Sequence, residues 1–359
     1  MAKEKRKNNG ASSPKDAGVI LRKKWWVTAL VIFFVLGGII LLYIFLPVVA
    51  NKTENKALIK IPANATAQMV KDTLEKYFGD KYASNVMTVS GIRGTDYSKR
   101  HGAYMVDSGI PPLYAERILS RGAQHPIKLT VNGARGLDIL SERISKNVDF
   151  TADSLQNRLK DNQLLSDYGL TSDQALALFI DDSYQVYWNA SPESVISKIG
   201  DNYKKIWNEE RLGKAKTLGL TPAQVVTIAS IVDEETNKND EKSKVARLYL
   251  NRLQKGMKLQ ADPTVKFALG DFSLRRIRGE HLKVNSPYNT YQVIGLPPGP
   301  IRTVTVKDID AVLNAPSHDY VYMCAKDDFS GYHNFAKDYD THMQNARKYQ
   351  KALNRRNIY

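Results

Sequence analysis

The sequence predicts an α+β protein behind a single N-terminal transmembrane helix, and three observations carry that reading. The run from Trp25 to Ala50 contains no charged side chain. Between Ala57 and Ile144, short alternating runs are interleaved with segments of helical spacing. From Thr151 onward helical spacing dominates, until a closing hairpin over Tyr320 to Phe335 and a basic C-terminal helix.

The apolar run comes first. A helix needs about 20 apolar residues to cross the hydrocarbon core of a bilayer, and Trp25 to Ala50 supplies them. Trp25 and Trp26 suit the interfacial belt at one edge, and Tyr43 the other. The preceding segment carries Lys3, Lys5, Arg6, Lys7, Lys15, Arg22, Lys23 and Lys24. Positive flanks stay on the cytoplasmic side. The expected layout is a cytoplasmic tail over 1–24 and a single-pass helix over 25–50 in the cell (inner or plasma) membrane. Everything from Asn51 then lies outside the cytoplasm. Val48-Val49-Ala50 also fits a signal-peptide cleavage site, the alternative to a retained anchor.

Beyond the anchor, Ala57 to Pro62 alternates around Ile59 and Ile61 as a strand does, and Asn64-Ala65-Thr66 leads into a helix with Met69, Val70, Leu74 and Tyr77 on one face. Tyr104 to Ser120 reads as strand, Pro111-Pro112 turn and helix. Ile127 to Val131 is a further strand, followed by a helix carrying Leu137, Leu140 and Ile144. These units form a small α+β lobe over 51–145. The remainder, 146–359, is a mainly helical domain with one helix expected from Pro192 through Leu218. Thr221-Pro222-Ala223-Gln224 opens another, with Thr221 as cap, Pro222 at the first position and Gln224 completing a capping box.

The chain has 359 residues, a formal net charge of +15 and one cysteine. An intramolecular disulfide and a zinc site built on several cysteines are therefore excluded. Cys324, inside Tyr320-Val321-Tyr322-Met323-Cys324-Ala325, is expected to be buried packing on a strand. The charge calls for an anionic partner, and the topology turns that partner from nucleic acid to lipid head groups and wall polymers. His281, His318, His333 and His342 match no metal-ligand spacing, so no metal is expected.

The chemistry falls on the helix that starts at Pro222. At about 100° per residue, Val225, Ile228, Ile231 and Val232 form an apolar stripe that Glu235 joins, while Asp233 and Glu234 point elsewhere. Desolvation raises a carboxylic pKa, and a carboxyl that stays protonated near neutrality can serve as a general acid. The structural alternative is a helix end with Glu235 turned to solvent. Gln260-Ala261-Asp262-Pro263-Thr264 reads as a helix start with Asp262 capping. Ser286-Pro287-Tyr288-Asn289-Thr290-Tyr291 is a polar aromatic loop suited to sugar recognition or to a structural role, and Gly295-Leu296-Pro297-Pro298-Gly299 is a rigid turn.

Taken in order, these segments resemble the endolytic murein transglycosylases of the MltG type. The resemblance rests on Ile228-Ala-Ser-Ile-Val-Asp-Glu-Glu-Thr236, Val245-Ala246, Asn251-Arg252-Leu253 and Gly256-Met-Lys-Leu-Gln-Ala-Asp-Pro-Thr-Val265. It continues through Tyr288-Asn289-Thr290-Tyr291, Gly295 to Ile301 and His333-Asn334-Phe335, and covers about residues 222–345. It implies that 146–359 is the catalytic domain, that Glu235 is the catalytic acid and base, and that the outer lobe is LysM-like. It implies lytic transglycosylation, a cut between N-acetylmuramic acid and N-acetylglucosamine that leaves 1,6-anhydro ends, without metal or organic cofactor. Peptidoglycan strands, the membrane and cell-wall synthases are the expected partners. This chain departs from the family at Asp233-Glu234-Glu235, where Glu-Lys-Glu is common, and at Asp181, where proline is usual before Asp182-Ser183-Tyr184. Asp182, Gln260, Asp262, Tyr288, Asn289 and His333 are the expected cleft residues beside Glu235. Two alternatives stand beside this reading. One is a hydrolysing glycosidase using Asp182 or Asp262 as second carboxylate, and the other is a non-catalytic wall-binding scaffold.

Overall fold

A computed structural model describes residues 14–45, 56–107, 109–274 and 276–356. It divides into two compact units, one ending at His125 and one beginning at Pro126.

The first unit opens with helix α1 (Pro14–Phe45). Its side chains from Trp25 to Ile40 are mostly exposed, Trp25 at 75% and Phe33 at 73%. Among the described residues no single helix is long and apolar enough to cross a membrane, the apolar part of α1 covering Trp25–Ile40. The end of the expected span, 46–50, lies outside the described residues. Strand β1 (Lys56–Ile61), helices α2 (Ala67–Phe78) and α3 (Asp80–Arg93), strand β2 (Gly102–Asp107) and helix α4 (Pro112–Arg121) complete the unit. Thr66 caps α2 by accepting from the Met69 amide. β1 and β2 pair antiparallel with Ile59 opposite Tyr104. Ile59, Ile61, Leu74, Phe78, Tyr82, Val106 and Leu119 fill the space between sheet and helices.

The second unit runs through β3 (Ile127–Val131), α5 (Leu137–Ser145), α6 (Ala152–Leu159), α7 (Asn162–Ser166) and β4 (Asp182–Val186). Then come α8 (Pro192–Ile206), α9 (Glu209–Thr217), α10 (Pro222–Glu235), α11 (Asn239–Gln254), α12 (Asp262–Leu269) and α13 (Val306–Leu313). Strands β5 (Tyr322–Ala325) and β6 (His333–Ala336) and helix α14 (Tyr339–Arg355) close the chain. β3 and α5, assigned from periodicity to the small lobe, belong to this unit, because β3 pairs antiparallel with β4, Leu129 opposite Tyr184. The helix expected over Pro192 to Leu218 is two helices. The buried Trp207 closes the first, and Asn208 caps the second by accepting from the Arg211 amide.

Helix α10 is the axis of this core. The capping box forms as read, with the Thr221 amide donating to Gln224 Oε1 at 2.9 Å. Every residue from Val225 to Val232 is buried, not only the apolar stripe. The two hydroxyls among them are satisfied locally: Thr227 donates to the Ala223 carbonyl and Ser230 to that of Thr227. Ser230 also accepts from the Ile301 amide at 3.0 Å, which fastens the Pro- and Gly-rich loop to α10. That loop tolerates no side chain at Gly299, where a Cβ would sit 2.2 Å from the Asp173 carbonyl oxygen.

Candidate active site

The last turn of α10 places Asp233, Glu234 and Glu235 at the negative end of a helix dipole, where carboxylates are least stable. Two of the three are compensated. Lys242 from α11 bridges Asp233 and Asp308, and Arg302 reaches Asp233 at 2.9 Å and Glu234 at 2.8 Å. Arg135 grips Glu234 with a two-pronged guanidinium contact at 2.8 and 3.0 Å.

Glu235 has no ion pair among the described residues. Its partner is the Tyr249 hydroxyl from α11, which donates to Oε1 at 2.8 Å. Burial drives the Glu235 carboxyl up to about 7 from its ordinary 4.5, and the Asp262 charge adds to the rise. The Tyr249 hydrogen bond, Lys266 and Arg252 pull the other way. Burial and the adjacent Glu235 push the Tyr249 phenol well above its ordinary range, so it remains a donor. With Oε1 engaged, Oε2 is the oxygen left to carry a transferable proton.

Glu235 opens on a cavity of about 220 Å³ that also takes in Tyr249, Arg252, Gln260, Asp262, Tyr291 and His333. Of the residues expected in the cleft, Gln260, Asp262 and His333 line it. Asp262 is not a cap. It is the first helical residue of α12, and its carboxylate accepts from Tyr291 Oη at 2.6 Å instead. Gln260 adopts a left-handed backbone, φ 51°, uncommon for a residue with a Cβ and a form of strain that gathers at functional sites.

Asp182 does not line this cavity. It is exposed on β4, where it accepts from its neighbour Ser183 and from Asn202. The replaced proline, Asp181, does the local structural work, accepting from the Gly133 amide and the Thr303 hydroxyl. Tyr288 and Asn289 do not reach the cavity either. Asn289 is fully buried, donating to the carbonyls of Leu282 and Val284, and Tyr288 packs on Phe267 at 4.7 Å between ring centres. Their role is to hold the loop whose Thr290 accepts from the Gln260 and Ala261 amides and whose Tyr291 meets Asp262. Cys324 is on a strand as expected but only partly buried, because its β5 forms one wall of the cavity.

Four residues of the site escaped selection from sequence: Tyr249, Arg252, Tyr291 and Glu241. Arg252 is 7% exposed and bonds the Val321, Lys258 and Leu259 carbonyls, tying α11 to both the Gln260 turn and β5. Glu241 is 6% exposed and accepts from the His333 amide while facing its Nδ1 at 2.8 Å. One available signal was that Tyr249 and Arg252 continue the helical stripe of Val245 and Leu248, so polar tips there had to enter a protein interior.

Residues 59–348 match the model of the YceG-like family. A protein of Bacillus subtilis named endolytic murein transglycosylase is 37% identical over 131 residues, 36% of either chain. One of the same name from Streptococcus pneumoniae is 30% identical over 135 residues, 36% of this chain and 24% of that one. The matched stretches thus span about a third and a quarter of those relatives. A crystal structure of the yceG-like protein lmo1499 from Listeria monocytogenes shares the fold, with a TM-score of 0.56 at 24% identity over 81% of this chain and 99% of that one.

Proposed function

The chain belongs to the YceG-like family, and we propose that it is a membrane-anchored endolytic lytic transglycosylase acting on nascent peptidoglycan. The observation that carries the proposal is Glu235: a carboxyl without an ion pair among the described residues, hydrogen-bonded to Tyr249, opening on a cavity and titrating near 7. Such a group is protonated often enough at neutral pH to act as an acid, and its conjugate base is strong enough to take a proton back. Glu235 gives its proton to the glycosidic oxygen between N-acetylmuramic acid and N-acetylglucosamine. The muramyl C6 hydroxyl attacks C1, and the strand ends in a 1,6-anhydro sugar. In the simplest sequence the Glu235 carboxylate then takes the C6 proton. The names of the Bacillus and Streptococcus relatives support the substrate and the reaction.

The uncharged, exposed Trp25–Ile40 face of α1 behind a basic tail supports the anchor. With the N-terminus cytoplasmic, the catalytic unit faces the wall outside, close to the synthases that would supply new strands. The β1–α2–α3–β2 order of the first unit supports a LysM-like glycan-binding role. One observation favours a second reading. Asp262 lines the same cavity as Glu235, so a hydrolase that needs two carboxyl groups has a candidate pair.

The test is incubation of the purified full chain in detergent with polymeric uncrosslinked peptidoglycan, reading new ends by mass spectrometry. Anhydro-muramyl ends that vanish in Glu235→Gln support transglycosylation. Reducing ends indicate hydrolysis and point to Asp262. No cutting by folded protein overturns the enzymatic reading. Recovery of the chain in alkali-washed membranes tests the anchor.

A further inference from the structure

His333, in the wall of the Glu235 cavity, is paired with the buried Glu241. His333 opens β6 opposite Ala325 of β5, and both line the cavity. Its amide donates to Glu241 Oε1 at 2.9 Å and its Nδ1 lies 2.8 Å from Glu241 Oε2. A carboxylate can only accept, so Nδ1 carries the hydrogen and the lone pair of the neutral ring is at Nε2. Glu241 is 6% exposed, and among the described residues the ring is its only ion-pair partner. Thr236, the residue after Glu235, donates to the same Oε2 at 3.3 Å. The chain segment that presents the acid therefore also braces the pair.

A buried carboxylate that fixes one ring nitrogen, leaving the other basic and facing a reaction space, is the arrangement by which imidazole acts as a general base. We propose that His333, oriented by Glu241, accepts the proton of the C6 hydroxyl, so that Glu235 serves as the acid alone. This rests on the transglycosylase reading and reassigns its second proton transfer. As O6 bonds to C1, the O6–H proton moves to His333 Nε2. The C1–glycosidic oxygen bond breaks and that oxygen takes the proton of Glu235. The site is left with a Glu235 carboxylate and a His333 imidazolium held by Glu241, and transfer of that one proton back through solvent restores both. The division follows from the engagement of Glu235: Tyr249 holds one of its oxygens, so a single oxygen is left for proton transfer.

The test uses the full chain in detergent on uncrosslinked peptidoglycan, with His333→Ala, Glu241→Gln and wild type. Expected is a fall in kcat of at least about a hundredfold for folded His333→Ala, with little change in KM. Added imidazole should restore at least about a tenfold share of that rate, and should do nothing for Glu235→Gln. Glu241→Gln should lower kcat by about tenfold or more. Activity of His333→Ala within about threefold of wild type overturns the inference. So does a loss in folded protein that imidazole leaves untouched, or one carried by KM. Should His333→Ala unfold, Glu241→Gln decides, and an unchanged kcat there is the overturning result. A wild type that makes no anhydro ends sinks the transglycosylase reading itself. A wild type that cuts alongside an equally active His333→Ala sinks only the role of the pair.

Discussion

Removing one oxygen atom should move the pH profile of this protein. Tyr249→Phe deletes the donor at 2.8 Å from Glu235 Oε1 and changes little else in a side chain that is 2% exposed. That hydrogen bond favours the carboxylate, so it holds the Glu235 pKa below where burial alone would take it. A hydrogen bond to a charged group contributes about 1.5–3 kcal/mol. At about 1.4 kcal/mol per pH unit this is roughly one to two units. The Glu235 pKa, about 7 in the wild type, should rise by that amount. In the proposed role Glu235 must be protonated to act, so the alkaline limb of kcat/KM moves upward, and Tyr249→Phe outperforms wild type relative to its own optimum at high pH. The groups facing Glu235 that also set this limb are Asp262, Lys266 and Arg252, with His333 in the same cavity. They remain in both proteins, so the comparison isolates the tyrosine. The assay is anhydro-end formation by the full chain over a pH series. An alkaline limb that stays in place, or moves to lower pH, refutes the assignment of that limb to a Glu235 held by Tyr249.

Two further outcomes follow from the carboxylates of α10. The folded pKa of Glu235 lies above its ordinary 4.5, so the neutral form is the one the fold accommodates, and stability is lost as pH rises from about 4.5 through about 7. Glu235→Gln removes that loss: urea unfolding should find it more stable than wild type by up to about 3 kcal/mol above pH 7, with the gap closing in acid. Equal stability at all pH values would place the wild-type carboxyl in a water-like setting. Lys242→Met leaves Asp233 and Asp308 without their shared cation in a site where the lysine is 8% exposed. It should cost about 3–5 kcal/mol at neutral pH and less in acid, where the stranded carboxylates protonate. A Tm within about two degrees of wild type would show that Arg302 on Asp233, and the amide and hydroxyl of Thr305 that donate to Asp308, suffice.

What could be read from the sequence was local. The capping box at Thr221, the stripe of Val225, Ile228, Ile231 and Val232, and the place of Glu235 on that stripe all follow from residues three and four apart, whose neighbourhood on a helix is fixed by its pitch. The hairpin that carries His333 was legible for the same reason. Reading failed where the meaning of a residue depended on a distant partner. Asp262 has the position and neighbours of a cap, but Tyr291 draws its carboxylate into the cavity. Asp182 follows a motif of the right order, but β4 carries it to the surface. Tyr288 and Asn289 were read as sugar contacts or as a structural loop, and their contacts hold the loop that delivers Tyr291.

By itself the sequence determined one central helix ending in three consecutive carboxylates, and named Glu235 among them by its apolar face. Only the tertiary structure decided which of them is paired with a cation. Arg135, Arg302 and Lys242 arrive from elsewhere in the chain to pair with Asp233 and Glu234, the first from 99 residues away and the second from 68. Among the described residues Tyr249 is the hydrogen-bond partner of Glu235. A helical pitch fixes which way a side chain points, but ionisation is set by solvent exclusion and by charges a few ångströms away, and those neighbours are gathered by the fold.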